Sequence, residues 1–411
     1  FRRASGRLQL QGAQSQTDLF AGVQQKFFGW PNLYTPFGFN ETEDLRTTLY
    51  AFNHRAWTSP ENYWQLGAYY RRNRDDYEFN RAVPGASNPF IHTTQVRALA
   101  FDGHQGFGDY AVTYGVQTMR DSLQSTALIF GRFRTRDYYK ASIVPEREFA
   151  TAPGRLKLRV GAAYDDTNRD DSALSPIIEA VLSRPDGRRL YAQYAETTQV
   201  ATYTALNSNP AAGLFRGNPN LRRATSRNLE AGVSFQPAGW QVEAAVFHRW
   251  DEELTDWTFT RGVTARTANA VNIGTMGAEI VATRKTPRFD LVLGYTFLDK
   301  DADYGAATID ASFYALNFAQ HRLTAAVTAR LGRGFELRVD NEFRVQEENL
   351  LRVVGGDNAV LSSLGFYYLP PGVRGLEFSV LVDNLWDDDF QEVPQVPAAR
   401  RQFSVGAAYR W

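Results

Sequence analysis

From Arg401 to Trp411 the chain reads RQFSVGAAYRW, with Phe403, Val405, Ala407, Tyr409 and Trp411 at alternate positions and Gln402, Ser404, Gly406, Ala408 and Arg410 between them. A period of two sends successive side chains to opposite faces of a strand. The stretch Glu336 to Gln346 repeats the pattern, with Glu336, Arg338, Asp340, Glu342, Arg344 and Gln346 against Leu337, Val339, Asn341, Phe343 and Val345. A charge facing lipid at the bilayer midplane costs about 2–4 kcal/mol, so this polar face must line water or protein. Arg155, Lys157 and Arg159 opposite Leu156, Leu158 and Val160 obey the same rule, as do Asn228, Glu230 and Ser234 opposite Leu229, Ala231 and Val233. The pattern predicts strands between lipid and a wet lumen, with Leu337, Val339, Phe343, Phe403, Val405 and Tyr409 pointing outward. A soluble sandwich also alternates, but it buries its apolar face and solvates the polar one.

The punctuation of the strands favours the membrane. Short clusters of turn-forming residues recur near Ser15, Ser59, Gly106, Thr151, Pro185, Pro237, Thr286, Leu331 and Pro370. Between them lie longer polar and aromatic connections, over roughly 29–44, 82–92, 122–137, 167–176, 199–225, 252–270, 300–320, 348–358 and 384–401. Short turns at one end and long loops at the other are the asymmetry of outer-membrane barrels, whereas a solenoid or propeller repeats more evenly. Nine turns and nine loops predict an all-β, transmembrane antiparallel barrel wall of about nineteen strands with under a tenth of its residues helical. The first and last strands then both run toward the short-turn side. Single-chain bacterial barrels have an even number of strands, so the odd count predicts a chain truncated at its N-terminus, with further strands ahead of Phe1.

Composition removes several other classes. The 411 residues carry 14% aromatics, no cysteine, two methionines and a formal net charge of zero, which argues against a nucleic-acid partner and excludes disulfide frameworks and thiolate metal sites. A mean hydropathy of −0.40 without any apolar run of about 18 residues excludes a helical membrane protein but not a barrel, whose strands are short and half polar. Only five of the 45 basic residues are lysine, a bias of genome rather than of function. No charged n-region, apolar h-region and small-residue cleavage site follows Phe1, so the export signal that such a protein needs is expected upstream.

Three stretches resemble the barrel region of TonB-dependent outer-membrane receptors: NETEDLRTTLY (Asn40 to Tyr50), GNPNLRRATSRNLEAGV (Gly217 to Val233) and VDNLWDDDFQEVPQVPAARRQFSVGAAYRW (Val382 to Trp411). The middle stretch is similar to the family's Asn-Pro-Asn-Leu segment at Asn218 to Leu221, followed by Ser226, Glu230 and Gly232, and departs from it at Ala224, where an acidic residue is common. The last is similar to an Asn-Leu-aromatic-Asp turn at Asn384, Leu385, Trp386 and Asp387. It departs at Ala398 and Ala399, where a Gly-Arg pair is usual, and at Trp411, where Phe is usual. The resemblance implies a single barrel domain over residues 1–411, forming the C-terminal nineteen or so strands of a 22-stranded barrel, with the plug domain and energy-coupling box upstream. The chain is most similar to the cobalamin-receptor-like branch in the spacing of FFGWPNLYTPFGFNETED (Phe27 to Asp44) and of the C-terminal turn. The resemblance also implies a bacterial outer-membrane location, a scarce small-molecule ligand such as a ferric siderophore, haem or cobalamin, and coupling to the TonB complex. Outer-membrane lipid and the barrel assembly machinery are the other implied partners; Phe403, Tyr409 and Trp411 would form the assembly signal.

No catalytic constellation emerges, and neither an enzyme nor a bound cofactor is expected. His54, His92, His104, His248 and His321 lack metal-ligand spacing, and Asp387 to Asp389 lack the alternating ligands and glycine of a calcium loop. Serine, histidine and aspartate are present without a nucleophile elbow. Two groups are candidates for ligand contact. Trp30, Tyr34 and Phe37 crowd the first long loop, where aromatics also gather as a membrane-interface girdle. Arg132, Arg134 and Arg136 recur at period two beside the third long loop, aimed either at a ligand's carboxylates or phosphates or at lipopolysaccharide and acidic neighbours. A passive porin-like channel without a plug is the alternative function, and a soluble β-rich binding module or carbohydrate-active enzyme a third. A signal peptide, coupling box and plug in the upstream coding sequence would separate the first reading from the second.

Overall fold

The computed structural model describes residues 1–29, 40–85, 90–130, 134–349, 351–394 and 399–410. The chain begins with β1 (Arg2–Gln11), β2 (Ser15–Gly29), β3 (Thr42–Trp57), β4 (Tyr63–Glu78), β5 (Phe90–Phe107), β6 (Tyr110–Ser125) and β7 (Thr135–Thr151). There follow β8 (Gly154–Thr167), β9 (Asp170–Ser183), β10 (Arg189–Gln199), the short helix α1 (Tyr203–Asn207), β11 (Phe215–Arg216), β12 (Ala224–Phe235), β13 (Trp240–Phe259) and β14 (Arg266–Lys285). The chain continues through β15 (Phe289–Asp303), β16 (Ala311–Ser312), β17 (Ala319–Gly332), β18 (Phe335–Gln346), β19 (Asn358–Tyr368), β20 (Leu376–Asp383) and β21 (Gln402–Tyr409). Setting aside the two-residue β11 and β16 leaves nineteen long strands, the number that the turns and loops predict.

The long strands form one antiparallel meander in which each pairs with its neighbour in sequence. Among the described residues β1 pairs only with β2 and β21 only with β20. Pairing of consecutive strands needs only tight connections on one side. At the β17–β18 hairpin Arg333 (φ 54°) and Gly334 (φ 84°) make the turn, and a Cβ on Gly334 would meet the Leu369 carbonyl oxygen. The wall curves. Residues of α1 and its flanks touch both β6 and β14, although β7, β8, β9, β10, β12 and β13 lie between those strands in the pairing order, on the order of 30 Å along a flat sheet.

The two faces follow the alternation. Phe343, Phe403, Val405 and Tyr409 are exposed on the outer face, as are Leu19, Val116, Ile143 and Val246. Leu337 and Val339 share that face but are half-buried beside Phe366 and Leu364. The inner face is polar and ion-paired. Glu146 contacts Lys157 at 3.1 Å and Arg159 at 3.4 Å, while Arg159 reaches Glu179 at 2.8 Å. These side chains lie toward the short-turn end of the wall, on β7, β8 and β9.

Two predicted loops are instead largely strand. The stretch 167–176 contains only a two-residue turn, Asn168 and Arg169, because Asp170 pairs with Thr167 and Leu174 with Tyr164. Similarly, 252–270 shrinks to 260–265, with Thr258 opposite Thr267. Beyond the lipid both faces of a strand are wet, so the ladder continues without the apolar alternation by which a strand is recognised.

Candidate functional site

Among the described residues, several long connections at one end of the wall are folded back on the inner side by hydrogen-bonded latches. The first latch is α1. Thr202 caps it, its hydroxyl accepting from the Ala205 N–H at 3.2 Å, but five residues are too few to hold a helix in water. Its stability is tertiary. Arg136 on β7 grips Asp121 on β6 through Nε at 3.1 Å and Nη2 at 2.7 Å and donates Nη1 to the Ala201 carbonyl at 2.9 Å. The Tyr203 ring lies over that guanidinium at 3.9 Å, and its hydroxyl donates to Asp121 Oδ1 at 2.9 Å. Burial first, and the Asp121 carboxylate second, hold the Tyr203 phenol above its usual pKa, so it remains a donor at any physiological pH. On the other side Ala205 and Leu206 pack with Ala201, Leu221 and Ala268.

The segment Gly217 to Leu221 gives that latch its second anchor. The Asn218 N–H donates to the Ala205 carbonyl at 2.6 Å, the Asn218 side-chain oxygen accepts from the Asn220 N–H at 3.0 Å, and Leu221 is buried against α1. Arg169, at the β8–β9 turn, donates to the carbonyls of Pro219 at 3.2 Å and Leu221 at 3.3 Å. Gly217 has no room for a side chain: an added Cβ would sit 2.6 Å from the Ser208 carbonyl oxygen and 2.9 Å from that of Ala205. Gly217→Ala is therefore expected to cost about 1–3 kcal/mol by overpacking and to loosen residues 200–223, read as faster proteolysis in that loop with the barrel intact. Upstream, Phe215 and Arg216 pair in parallel with Arg266 and Thr267. Arg266 is buried among the rings of Phe259 at 4.9 Å, Phe215 at 5.4 Å and Phe313 at 5.8 Å.

Two more latches act further along the sheet. Asp256 on β13, fully buried, accepts from the Tyr304 hydroxyl at 2.8 Å and from the backbone N–H groups of Tyr314 at 3.1 Å and Ala315 at 3.0 Å, which fixes the loop between β15 and β17. Arg352 donates to Gln391 O at 3.0 Å, Glu347 O at 2.9 Å and Asn317 Oδ1 at 3.1 Å, and pairs with Asp357. The turn after β20 places Asn384 (φ 47°) and Asp387 (φ 57°) in the left-handed region. Asp387 holds Arg400 in a fork of 3.0 and 2.8 Å, and that hydrogen bond, joined by the Arg401 N–H, keeps its carboxyl well below the usual carboxylate range.

A wall of nineteen long strands, polar and ion-paired on one face and apolar on the other, with described loop segments folded back on the polar side, is the architecture of an outer-membrane barrel. The profile of the TonB dependent receptor-like β-barrel family matches residues 2–410. The chain belongs to that family.

None of the curated proteins matches the sequence. Among solved structures the siderophore receptor PirA from Pseudomonas aeruginosa is similar at 16% identity and a TM-score of 0.70, the match covering 99% of this chain and 70% of that one. The FrpB iron transporter from Neisseria meningitidis is similar at 13% identity and a TM-score of 0.75, covering 99% and 71%. The copper transporter OprC gives 14% and 0.71, covering 99% and 73%. At these identities the likeness is one of fold, and the family is one of receptors and transporters.

In this TonB-dependent receptor barrel the residues singled out from the sequence fare unevenly. Trp30, Tyr34, Phe37, Arg132 and Trp411 lie outside the described residues. Arg134 is exposed at the loop edge, its guanidinium 5.1 Å from the Phe130 ring. Arg136 does not stand open beside it; its donors go to Asp121 and Ala201. Phe403 and Tyr409 are on the outer face of β21. Between α1 and the β8–β9 turn opens a cleft of about 780 Å³, lined by Arg169, Asp170, Asp171, Asn207, Ser208 and Pro219 among others. Asp121, Tyr203, Asp256 and Arg352 escaped the sequence reading, since nothing local marks them.

Proposed function

We propose that this protein is a bacterial outer-membrane receptor that binds a scarce ligand, such as a ferric siderophore, haem or cobalamin, on its loop side and imports it with energy relayed through TonB. The observation that carries this reading is the family match over residues 2–410. The siderophore and iron receptors among the structural neighbours favour an iron chelate among the three ligands. In this reading Trp30, Tyr34 and Phe37 pack on the ligand's apolar surface, where aromatic area comes at low entropic cost, while Arg132 and Arg134 meet its anionic groups. Arg136 acts one step back, holding α1 through the Ala201 carbonyl. Phe403, Tyr409 and Trp411 serve as the assembly signal.

The test is uptake by cells expressing the full-length gene at a controlled surface level, with labelled ferric siderophores, haem and cobalamin. Saturable accumulation of one ligand is expected, abolished when the proton motive force is collapsed, while binding to the cell surface persists. Accumulation that neither saturates nor responds to de-energisation would replace this reading with the passive channel. The coding sequence ahead of Phe1 offers an independent check, because the proposal requires a lumen-filling domain and an energy-coupling segment.

A further inference from the structure

The wall ends before two of its strands do. β12 stops pairing with β13 at Thr225 opposite Glu252, and β15 stops pairing with β14 at Asp303 opposite Asn272. β13 and β14 nevertheless stay paired to each other from Leu254 and Val271 to Thr258 and Thr267. At the junction the register shifts between Asp251 and Leu254, and Glu253 takes a left-handed φ of 55°. A bulge of this kind bends the strand that carries it. Two-residue strands from the loops then cover both edges of the hairpin: Phe215 and Arg216 of β11 lie on β14, and Ala311 and Ser312 of β16 on β13.

Standing up from the wall, such an extension would be wet on both faces. Instead Asp256, Thr258, Phe259, Arg266, Ala268 and Val271 are all buried. Ala268 packs against α1 on one face, and Val271 packs with Ile273 and Ala315 on the other. The hairpin therefore lies over the concave side of the wall, and Arg266 shows how far it reaches. In the pairing order β4 to β10, β12 and β13 separate β14 from β3, on the order of 50 Å along a flat sheet. Yet Glu41, immediately ahead of β3, is close enough for its carboxylate to act on the Arg266 guanidinium. Both residues are buried, at 1% and 2% exposure.

The two charges are set differently. The rings around Arg266 belong to the hairpin and its edges: Phe259 on β13, Phe215 on β11 and Phe313 just after β16. Burial pushes the Arg266 pKa down to about 10 and Glu41 pushes it back up, so the guanidinium keeps its charge at neutral pH and gains from a nearby anion. Glu41 borders a cavity of about 530 Å³ lined also by Asn40, Thr42 and Arg81, where a released carboxylate meets water and a second cation. Parting the two residues thus strands the guanidinium rather than the carboxylate. Leaving a buried charge without its partner is the costly event, and a fresh anion offsets it.

We propose that the β13–β14 hairpin is a gate over the loop-side mouth of the barrel, held shut by Arg266 against Glu41, and that it opens for ligands bringing an anionic group to Arg266. This rests on the receptor reading and adds to it a ligand class and the residue that selects it. An uncharged ligand leaves the guanidinium stranded and meets a closed hairpin.

The 411 residues hold no cysteine, so Val263→Cys in the hairpin turn and Val83→Cys in the connection after β4 accept a pair of spin labels in the full-length protein. Both positions are exposed. Pulsed dipolar spectroscopy of this labelled background should give one short distance without ligand. A negatively charged ferric tris-catecholate should lengthen it, and an uncharged ferric tris-hydroxamate should not. Glu41→Gln should raise the open fraction about tenfold without ligand, and Arg266→Met, which keeps much of the side-chain bulk, should abolish the response to the catecholate. Lengthening by both chelates alike, or by neither although the catecholate binds, would overturn the gate. So would an unchanged distance in Glu41→Gln or a catecholate response in Arg266→Met. Heat-modifiable mobility checks the barrel of each variant; if one fails it, the comparison of the two chelates on the labelled background decides. Uptake separates the two readings. Cells that accumulate neither chelate, nor haem, nor cobalamin refute the receptor, and the unliganded distance in Glu41→Gln then judges the lock by itself. Saturable uptake of the uncharged chelate with the hairpin shut refutes only the gate.

Discussion

Replacing Asp121 by alanine is expected to detach α1 from the wall and to lower the local stability of residues 200–223 by about 3–5 kcal/mol, the usual consequence of stripping a buried charge of its partner. Arg136 would keep its burial but lose two hydrogen bonds, and the Tyr203 hydroxyl would lose its carboxylate acceptor at 2.9 Å, keeping only backbone carbonyls, that of Arg134 at 3.1 Å and that of residue 121 at 3.3 Å. Arg136→Ala should give nearly the same phenotype, because it breaks the same contact and also frees the Ala201 carbonyl. Arg134→Ala should not, since Arg134 is exposed and its side chain lies against Phe130. Hydrogen exchange of the 200–223 backbone and protease cleavage within it provide the measurement, with heat-modifiable mobility as the control for an intact barrel. A double-mutant cycle should be strongly non-additive, the second substitution adding little to the first. Unaltered protection of the loop in Asp121→Ala would remove the latch. Reduced ligand binding in Arg136→Ala with an undisturbed loop would restore Arg136 to direct ligand contact.

The barrel wall was legible because lipid imposes a rule on every strand that crosses it. Glu336 to Gln346 and Gln402 to Tyr409 alternate because one face meets hydrocarbon and the other does not, and the turns between strands need residues whose type shows in the sequence. That rule ends where the lipid ends, which is why Asp170 to Ser175 read as loop yet pair as strand. The latches were illegible for a different reason. Tyr203 and Asp121 are 82 residues apart and Asp256 and Ala315 are 59 apart, and each contact depends on how a loop crosses the concave side of the wall. Arg132, Arg134 and Arg136 show the limit well. Period two gives a shared direction, but only the register reveals that Asp121 lies directly opposite Arg136 and takes up its charge. The Asn-Pro-Asn-Leu segment was found by resemblance, and its physical role, an Asx turn and a buried leucine under α1, came from the structure.

Arg352→Ala should disturb the greatest extent of chain for a single substitution. Its guanidinium is wholly buried and joins three separate connections: Asn317 from the loop before β17, Glu347 and Asp357 from the loop between β18 and β19, and Gln391 from the connection before β21. Truncation leaves the Gln391 and Glu347 carbonyls without these donors and the Asp357 carboxylate without its cation, each orphaned group costing about 1–3 kcal/mol. A total near 3–5 kcal/mol is expected, since part of that polarity will find water once the loops loosen. Arg352→Lys should rescue little, because one ammonium cannot span acceptors that a planar fork reaches on different sides. Hydrogen exchange should rise together in 304–318, 347–357 and 384–394 while the paired backbone of β18 and β19 stays protected. Asp256→Ala supplies the contrast. It should release 304–318 and leave 384–394 unchanged, because among the described residues the Asp256 carboxylate accepts from Tyr304, Tyr314 and Ala315. If Arg352→Ala raised exchange in 347–357 alone, the side chain would be a local brace, and the connection before β21 would owe its position to Asp387 and Arg400 instead.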